Sequence, residues 1–264
     1  MFNWILLNIA DMPIVWPEEH KAFVSQFAAE AGSNLSPEFT LSIAAGLTQC
    51  HGVEFADITA PHFLHSPARS SEFLFANEDW SEATVFSNHY TDENYALPLA
   101  ALCARLAYFH AVFLHGSLVE FDGEGIVFTG YSGVGKTTQA QLWEKYLHAD
   151  IINGDKLFLR CLKGQTYAYG APWKGSSPYC LNRKVPVKAV VALRQAKENS
   201  IQKLDSLACM EYFMPHLFLP HWDQACLSQA LDTFDHILGS VPVYLLQCRP
   251  DEDAVLLTKD QIYG

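Results

Sequence analysis

One stretch constrains this chain more than any other: Gly130-Tyr131-Ser132-Gly133-Val134-Gly135-Lys136-Thr137, which reads G-x-x-x-x-G-K-T. A short apolar run, Gly125-Ile126-Val127-Phe128-Thr129, enters it, and a helical pattern over 138–147 leaves it. Glycines let a backbone curl until successive N–H groups aim at one point, and the start of a helix adds positive partial charge. That is the physics of a phosphate cradle. Lys136 would reach the β- and γ-phosphates of a nucleoside triphosphate, and the Thr137 hydroxyl would sit on magnesium. Four fixed positions match by chance about once per few tens of thousands of residues, so an ordinary glycine turn is the weaker reading. The expected nucleotide-binding residues are Gly130, Tyr131, Ser132, Gly133, Val134, Gly135, Lys136, Thr137 and Thr138.

A chain of 264 residues, 50% hydrophobic and 17% charged, suits one or two globular domains. No window approaches eighteen uninterrupted apolar residues, so no membrane span is expected. The segment 1–16 is apolar but has no Lys or Arg, and Asp11 and Pro13 interrupt it. It reads as strand rather than as a signal peptide. Seven cysteines lie scattered with no C-x-x-C pair, which suits reduced thiols in a cytoplasm better than disulfides or zinc. A net charge of −12 argues against a nucleic-acid partner. From Lys156 to Lys203, however, ten Lys or Arg stand against a single acid, Glu198. They are either solvated strand edges or a face turned to an anion, and their place directly after the glycine loop favours the anion.

Before the loop, 1–9 and 14–16 read as extended. The segment 20–32 has helical spacing, 40–48 is strand or helix, and 73–76 and 83–87 form a strand pair around a turn at 77–80. A long helix is expected over 92–110, then a strand over 112–121. Asp122-Gly123 is a hairpin signal that makes the strand feeding the loop the second arm of an antiparallel hairpin. After the loop come a short strand ending at Asp155, a hairpin around Lys163-Gly164, and a Pro/Gly/Ser-rich loop over 171–186. A strand over 187–193, helices over 204–217 and 222–238, a strand over 243–248 and a final helix follow. The expected domains are a small N-terminal α+β subdomain, 1–91, and a nucleotide-binding domain, 92–264. The fold class is α/β (α+β) with a mixed, partly antiparallel sheet.

Asp155, at a strand end just past the loop, is placed to hold magnesium or to take a proton from an attacking hydroxyl. Alternation puts His115 on one face with Phe113, Ser117 and Val119, where a histidine is ordinarily a core residue. Lys174 and Arg183, in the basic loop, are candidate clamps for a phosphate or a substrate.

Together, His115-Gly116-Ser117-Leu118-Val119, the hairpin turn, the loop 132–137 and Asn153-Gly154-Asp155 resemble the catalytic domain of HPr kinase/phosphorylase. They are similar, more distantly, to the nucleotide core of ATP-dependent phosphoenolpyruvate carboxykinase. The resemblance covers 112 to about 195 and does not extend to 1–70. It implies that His115 lies at the metal and phosphate site, that Asp155 is the catalytic or metal-associated acid, and that Thr137 is the magnesium ligand. It also implies a homo-oligomer, since relatives are often oligomeric. The family shows two adjacent acids where this chain has Gly154-Asp155, and its phosphorylase-type C-terminal motif has no match here. The expected activity is an ATP-dependent kinase with ATP and Mg2+, in which Lys136, His115 and Asp155 serve catalysis. The acceptor would be a hydroxyl: a Ser of a peptide or protein, or a small molecule. The alternative is a nucleotide-dependent regulatory module without phosphotransfer, which the single acid keeps open.

Overall fold

The structure, a computed structural model, describes residues 4–18, 24–30, 35–44, 61–65, 72–87 and 96–264. It divides into two units, Met1–Leu106 and Ala107–Gly264.

The first unit holds a six-stranded mixed sheet, ordered β1-β2-β3-β6-β5-β4. Its strands are β1 (Trp4–Ile9), β2 (Met12–Pro17), β3 (Phe39–Ala44), β4 (His62–His65), β5 (Phe73–Ala76) and β6 (Glu82–Phe86). Ala10 and Asp11 both adopt positive φ between β1 and β2, the twist a two-residue antiparallel hairpin needs. The strand-or-helix segment near residue 40 is therefore a strand, paired in parallel with both β2 and β6. The helix expected over 20–32 lies partly outside the described residues, and Ser25–Phe27 within it is a 3-10 turn. Helix α1 (Ala96–Ala107) carries Pro98 in its first turn, where a missing N–H is harmless. Arg105 ties α1 to this sheet: its Nε donates to the Glu38 carbonyl at 2.8 Å and its Nη1 to the Asp79 carbonyl and carboxylate, each at 3.0 Å. The division at 106/107, rather than the 91/92 suggested by sequence, follows that attachment.

The second unit is built on β7 (Ala111–Phe121), β8 (Glu124–Thr129), α2 (Lys136–Leu147), β9 (Asp150–Asn153), β10 (Lys156–Leu162) and β11 (Gln165–Gly170). It continues with β12 (Lys184–Gln195), β13 (Ser200–Lys203), α3 (Ser206–Tyr212), β14 (Leu217–Phe218), α4 (Gln224–Ser240), β15 (Val243–Cys248) and α5 (Glu252–Tyr263). Its nine-stranded sheet has the main order β11-β10-β7-β8-β12-β15-β13. β7 and β8 form the expected antiparallel hairpin, turned by Asp122 and Gly123 at φ 52° and 76°. β8 then runs parallel to β12, and β12 parallel to β15, so the sheet is mixed. Ile126, Phe128, Val191, Leu193 and Leu246 project to one face and bury against Ala140 and Trp143 of α2 and Ala254 and Val255 of α5. Asp205, Asp223 and Asp251 cap α3, α4 and α5 through their side chains, which fixes where each helix starts.

The sequence reading differs from the structure at 204–217. That helix stops at Tyr212, becomes a 3-10 turn at Met214–His216, and ends in β14. Pro215 cannot donate a helical hydrogen bond, and Leu217 and Phe218 pair with Leu114 and Phe113 of β7 instead.

Both edges of β7 break near its middle. Along one edge, β9 and β10 lie antiparallel to it, interrupted at Gly154-Asp155. Along the other edge β8 ends opposite Gly116, and β14 pairs just beyond. Gly116 permits this crowding, since a Cβ there would stand 2.9 Å from the Phe128 carbonyl oxygen.

Candidate active site

The glycine loop leaves β8 at this break. Gly130, Gly133 and Gly135 adopt φ of 143°, 78° and 114°, a region that disfavours any side chain. Gly135 caps α2 without a side-chain bond, so the first amides of the helix face the loop. Lys136 is 7% exposed, and its Nζ donates to the carbonyls of Gly130 (3.0 Å) and Tyr131 (3.1 Å). Burial pushes its pKa down; Asp155 opposes that shift and Lys156 adds to it.

Two hydroxyls meet at one peptide, Gly154. Thr137 Oγ1 donates to the Gly154 carbonyl at 2.8 Å, and the buried Ser117 Oγ donates to the same oxygen at 3.1 Å. Asn153 sets the turn beneath: its Oδ1 accepts from the amides of Asp155 (2.9 Å) and Lys156 (3.1 Å), and its Nδ2 donates to the Ala171 carbonyl (2.7 Å). Asp155 then meets His115 Nε2 through Oδ1 at 3.1 Å and the Lys156 ammonium through Oδ2. Burial pushes the Asp155 carboxyl up, but the hydrogen bonds and charges of His115 and Lys156 outweigh it and hold its pKa at about 2. Asp155 is therefore a carboxylate at neutral pH, suited to a cation. His115, expected from alternation to be a core residue, instead faces this carboxylate.

The position before Asp155 has no room for a side chain. A Cβ at Gly154 would stand 1.9 Å from Ser177 Oγ and 2.6 Å from Ser177 Cβ. Likewise a Cβ at Gly175 would meet Asp155 Oδ2 at 2.7 Å, so the turn 174–177 lies against the acid.

Lys174 is exposed on that turn. Its charge acts on Cys180, partly offsetting the burial that pushes that thiol up. Arg183 does not join the site: its Nη1 pairs with Glu120 at 2.8 Å and Asp150 at 2.7 Å. Nor does the basic window gather on one anion. Lys188 pairs with Glu124, Lys184 lies over the rings of Tyr167 and Tyr169, and Arg160 lies over Phe109. Lys156 alone of that set touches Asp155. Long strands scatter neighbouring charges to two faces and several edges.

Sequence reasoning missed His216. Leu217 pairs with Leu114, which draws His216 alongside His115, while Lys156 pairs with His115 from the other edge. His216 closes the 3-10 turn just before β14, near enough to His115 for their charges to interact. His216 is 8% exposed, and its ring packs edge-on to Tyr131 at 5.1 Å between centroids. Its ring nitrogens make no hydrogen bond to a described residue. Burial, then the charges of Lys136 and His115, lower its pKa to about 4, so it is neutral at pH 7. It lines a cleft of about 560 Å3 with Tyr131, Arg194, Glu211 and Tyr212. The readable signal was Pro215 breaking a helical pattern just before two apolar residues.

Among the described residues there is no group of three or more His, Cys, Asp or Glu able to hold a metal by themselves. Magnesium needs only one or two carboxylates when phosphates complete its shell, and Asp155 with the Thr137 hydroxyl fits that smaller demand. No helix of the described residues is long and apolar enough to cross a membrane.

No known family's sequence profile matches the chain, and no curated protein matches it. Among solved structures, the Hpr(Ser) kinase/phosphatase from Coxiella burnetii aligns with 11% identity over 56% of this chain and 95% of that chain, at a TM-score of 0.36. That likeness is too loose to bear on function, which rests on the site itself.

Proposed function

We propose that this protein is an ATP-dependent kinase that transfers the γ-phosphoryl group to a hydroxyl of a peptide, a protein or a small molecule. The observation that carries the reading is that Thr137 bonds the Gly154 carbonyl, the next residue Asp155 meets His115, and the charge of Asp155 acts on Lys136 of the glycine loop. The loop amides and Lys136 would bear the charge that spreads over the phosphate oxygens as the bond to the leaving group breaks. Asp155 and Thr137 would hold magnesium, with Lys156 turning from the carboxylate to the phosphates. Bound there, magnesium would neutralise charge on the β- and γ-oxygens.

The base differs from the one expected. Asp155 is already paired with His115 and Lys156, whereas His216 lines the cleft and its ring nitrogens make no hydrogen bond to a described residue. The acceptor hydroxyl would enter that cleft and form its O–P bond as the bridging P–O bond breaks, and its proton would pass to a His216 ring nitrogen. The purified protein would be incubated with magnesium, γ-labelled ATP and a cell extract. Label on a discrete acceptor, lost in Lys136→Ala, is the expected result. ATP binding with no acceptor labelled in any extract would replace the kinase with a nucleotide-dependent regulatory module.

A further inference from the structure

The cleft that His216 lines has the size of a small-ligand pocket. The glycine loop from Gly130 to Val134 and the end of β12 form one part of its wall, and Glu211 and Tyr212 at the end of α3 form another. His216 is more than nine-tenths buried, yet its ring nitrogens have no hydrogen-bond partner among the described residues. Buried polar groups are ordinarily bonded, so this ring calls for a ligand in the cleft.

Two charged side chains line the same cleft, and neither pairs with the other or with any other described residue: Arg194 and Glu211. Arg194 precedes Gln195, whose Nε2 donates to the carbonyls of Gly133 (3.3 Å) and Val134 (3.5 Å). That cation therefore belongs to the loop side, where Lys136 and the phosphates would be. Glu211 belongs to the helical side, which is acidic. From Leu204 to Cys248 the chain has no Lys or Arg and five acids: Asp205, Glu211, Asp223, Asp232 and Asp235. Asp205 and Asp223 cap helices, and of the five only Glu211 lines the cleft. A triphosphate on the loop would bring several more negative charges to this space. A neutral acceptor would leave Glu211 facing them unmatched, and an anionic one would be repelled by both. A cation on the acceptor would be attracted by both.

We propose that the acceptor carries an ammonium or guanidinium group beside its hydroxyl, and that Glu211 binds it. This inference rests on the kinase reading and can fail separately from it. A polypeptide with Lys or Arg near a Ser and a small amino alcohol offer the same pair of groups. Cell extract would be split by ultrafiltration into polypeptides and small molecules, each incubated with magnesium and γ-labelled ATP, and the fraction that takes label says which source supplies them. The labelling rate is then followed against extract concentration. Glu211→Gln should raise the half-saturating concentration about three- to tenfold, and Glu211→Lys about thirtyfold. Glu211 is exposed, so both variants should fold, and calorimetry should show ATP affinity no weaker than in wild type. Asp235→Lys makes the same change of charge on α4 outside the cleft, and should shift half-saturation less than about twofold. Half-saturation unmoved by Glu211→Lys, or moved as far by Asp235→Lys, would overturn the role of Glu211. Half-saturation lowered by Glu211→Lys would overturn it in favour of an anionic acceptor, and weakened ATP affinity would put Glu211 on the nucleotide instead. ATP binding with no label in either fraction would remove the kinase reading itself.

Discussion

Strand β9 is followed or begun by an aspartate at each end, and the two live in different worlds. Asp150 and Glu120 share Arg183 near solvent, with 65% of the Asp150 side chain and 40% of the Arg183 side chain exposed. Asp155 sits with His115 and Lys156, its side chain 22% exposed, beside Lys136 and under the turn of Gly175. The clusters lie about 17 Å apart along β7, at ~3.4 Å per residue. In the first, two carboxylates satisfy one cation and water screens them all. In the second, cations and imidazoles outnumber one carboxylate in a confined space, which leaves positive charge for an anion. The sheet turns similar chemistry into a surface brace at one end and a half-buried, cation-rich candidate site at the other.

The sharpest way to break this contrast is Asp155→Asn. It should lower phosphoryl transfer about 10³-fold, a magnitude typical of losing a positioned charge, while magnesium-free ATP still binds. Transfer within about threefold of wild type would return Asp155 to the role of a structural brace like Asp150. Gly154→Asp tests whether Ser177 closes position 154 to a side chain. The clash with Ser177 should cost about 3 kcal/mol in denaturant unfolding, and Ser177→Gly in the same chain should recover most of it. A cost that the second change leaves untouched would mean that Ser177 is not the obstacle.

The pH dependence of stability separates the ends again. The folded pKa of His216 is depressed from 6.5 to about 4, so the unfolded chain binds its proton more readily within that window. Stability should therefore fall as pH drops from 6.5 towards 4, by on the order of 3 kcal/mol at most, and His216→Gln should flatten that limb. Asp155 acts lower: its contribution is present above about 3.8 and is lost as pH falls through about 2. An unchanged acid limb in His216→Gln would show that the histidine is not held neutral. The smallest effect is expected at Arg183→Ala: no more than about 1 kcal/mol, reduced further by salt, with ATP affinity unchanged. A loss of ATP affinity there would put Arg183 back among the site residues.

The features legible in the sequence are those whose cause is local. Asp122-Gly123 and Lys163-Gly164 adopt the positive φ values that tight hairpins need, and these dipeptides announce them. Caps such as Asp251 start helices from within one turn. Gly130 to Thr137 supplies its own backbone geometry, and Asp155 follows it at a strand end as expected. The basic window was misleading because counting charges along a chain ignores the alternation that sends them to opposite faces. His216 and Ser177 were illegible for a different reason: each acts on a residue distant in sequence, through β14 against β7 and through the turn lying over Gly154.

The sequence by itself determined the glycine loop, its flanking strand and helix, and the acid beyond them, because glycine torsions and short turns are properties of a few adjacent residues. Only the tertiary structure decided which groups surround that acid. The break at the middle of β7 pairs Lys156 with His115 on one edge and brings His216 in just before β14 on the other; Ser177 packs against Gly154, and Arg183 pairs with Glu120 and Asp150 at the far end. Those outcomes depend on strand register, which is set by the packing of whole strands and by no single residue along them.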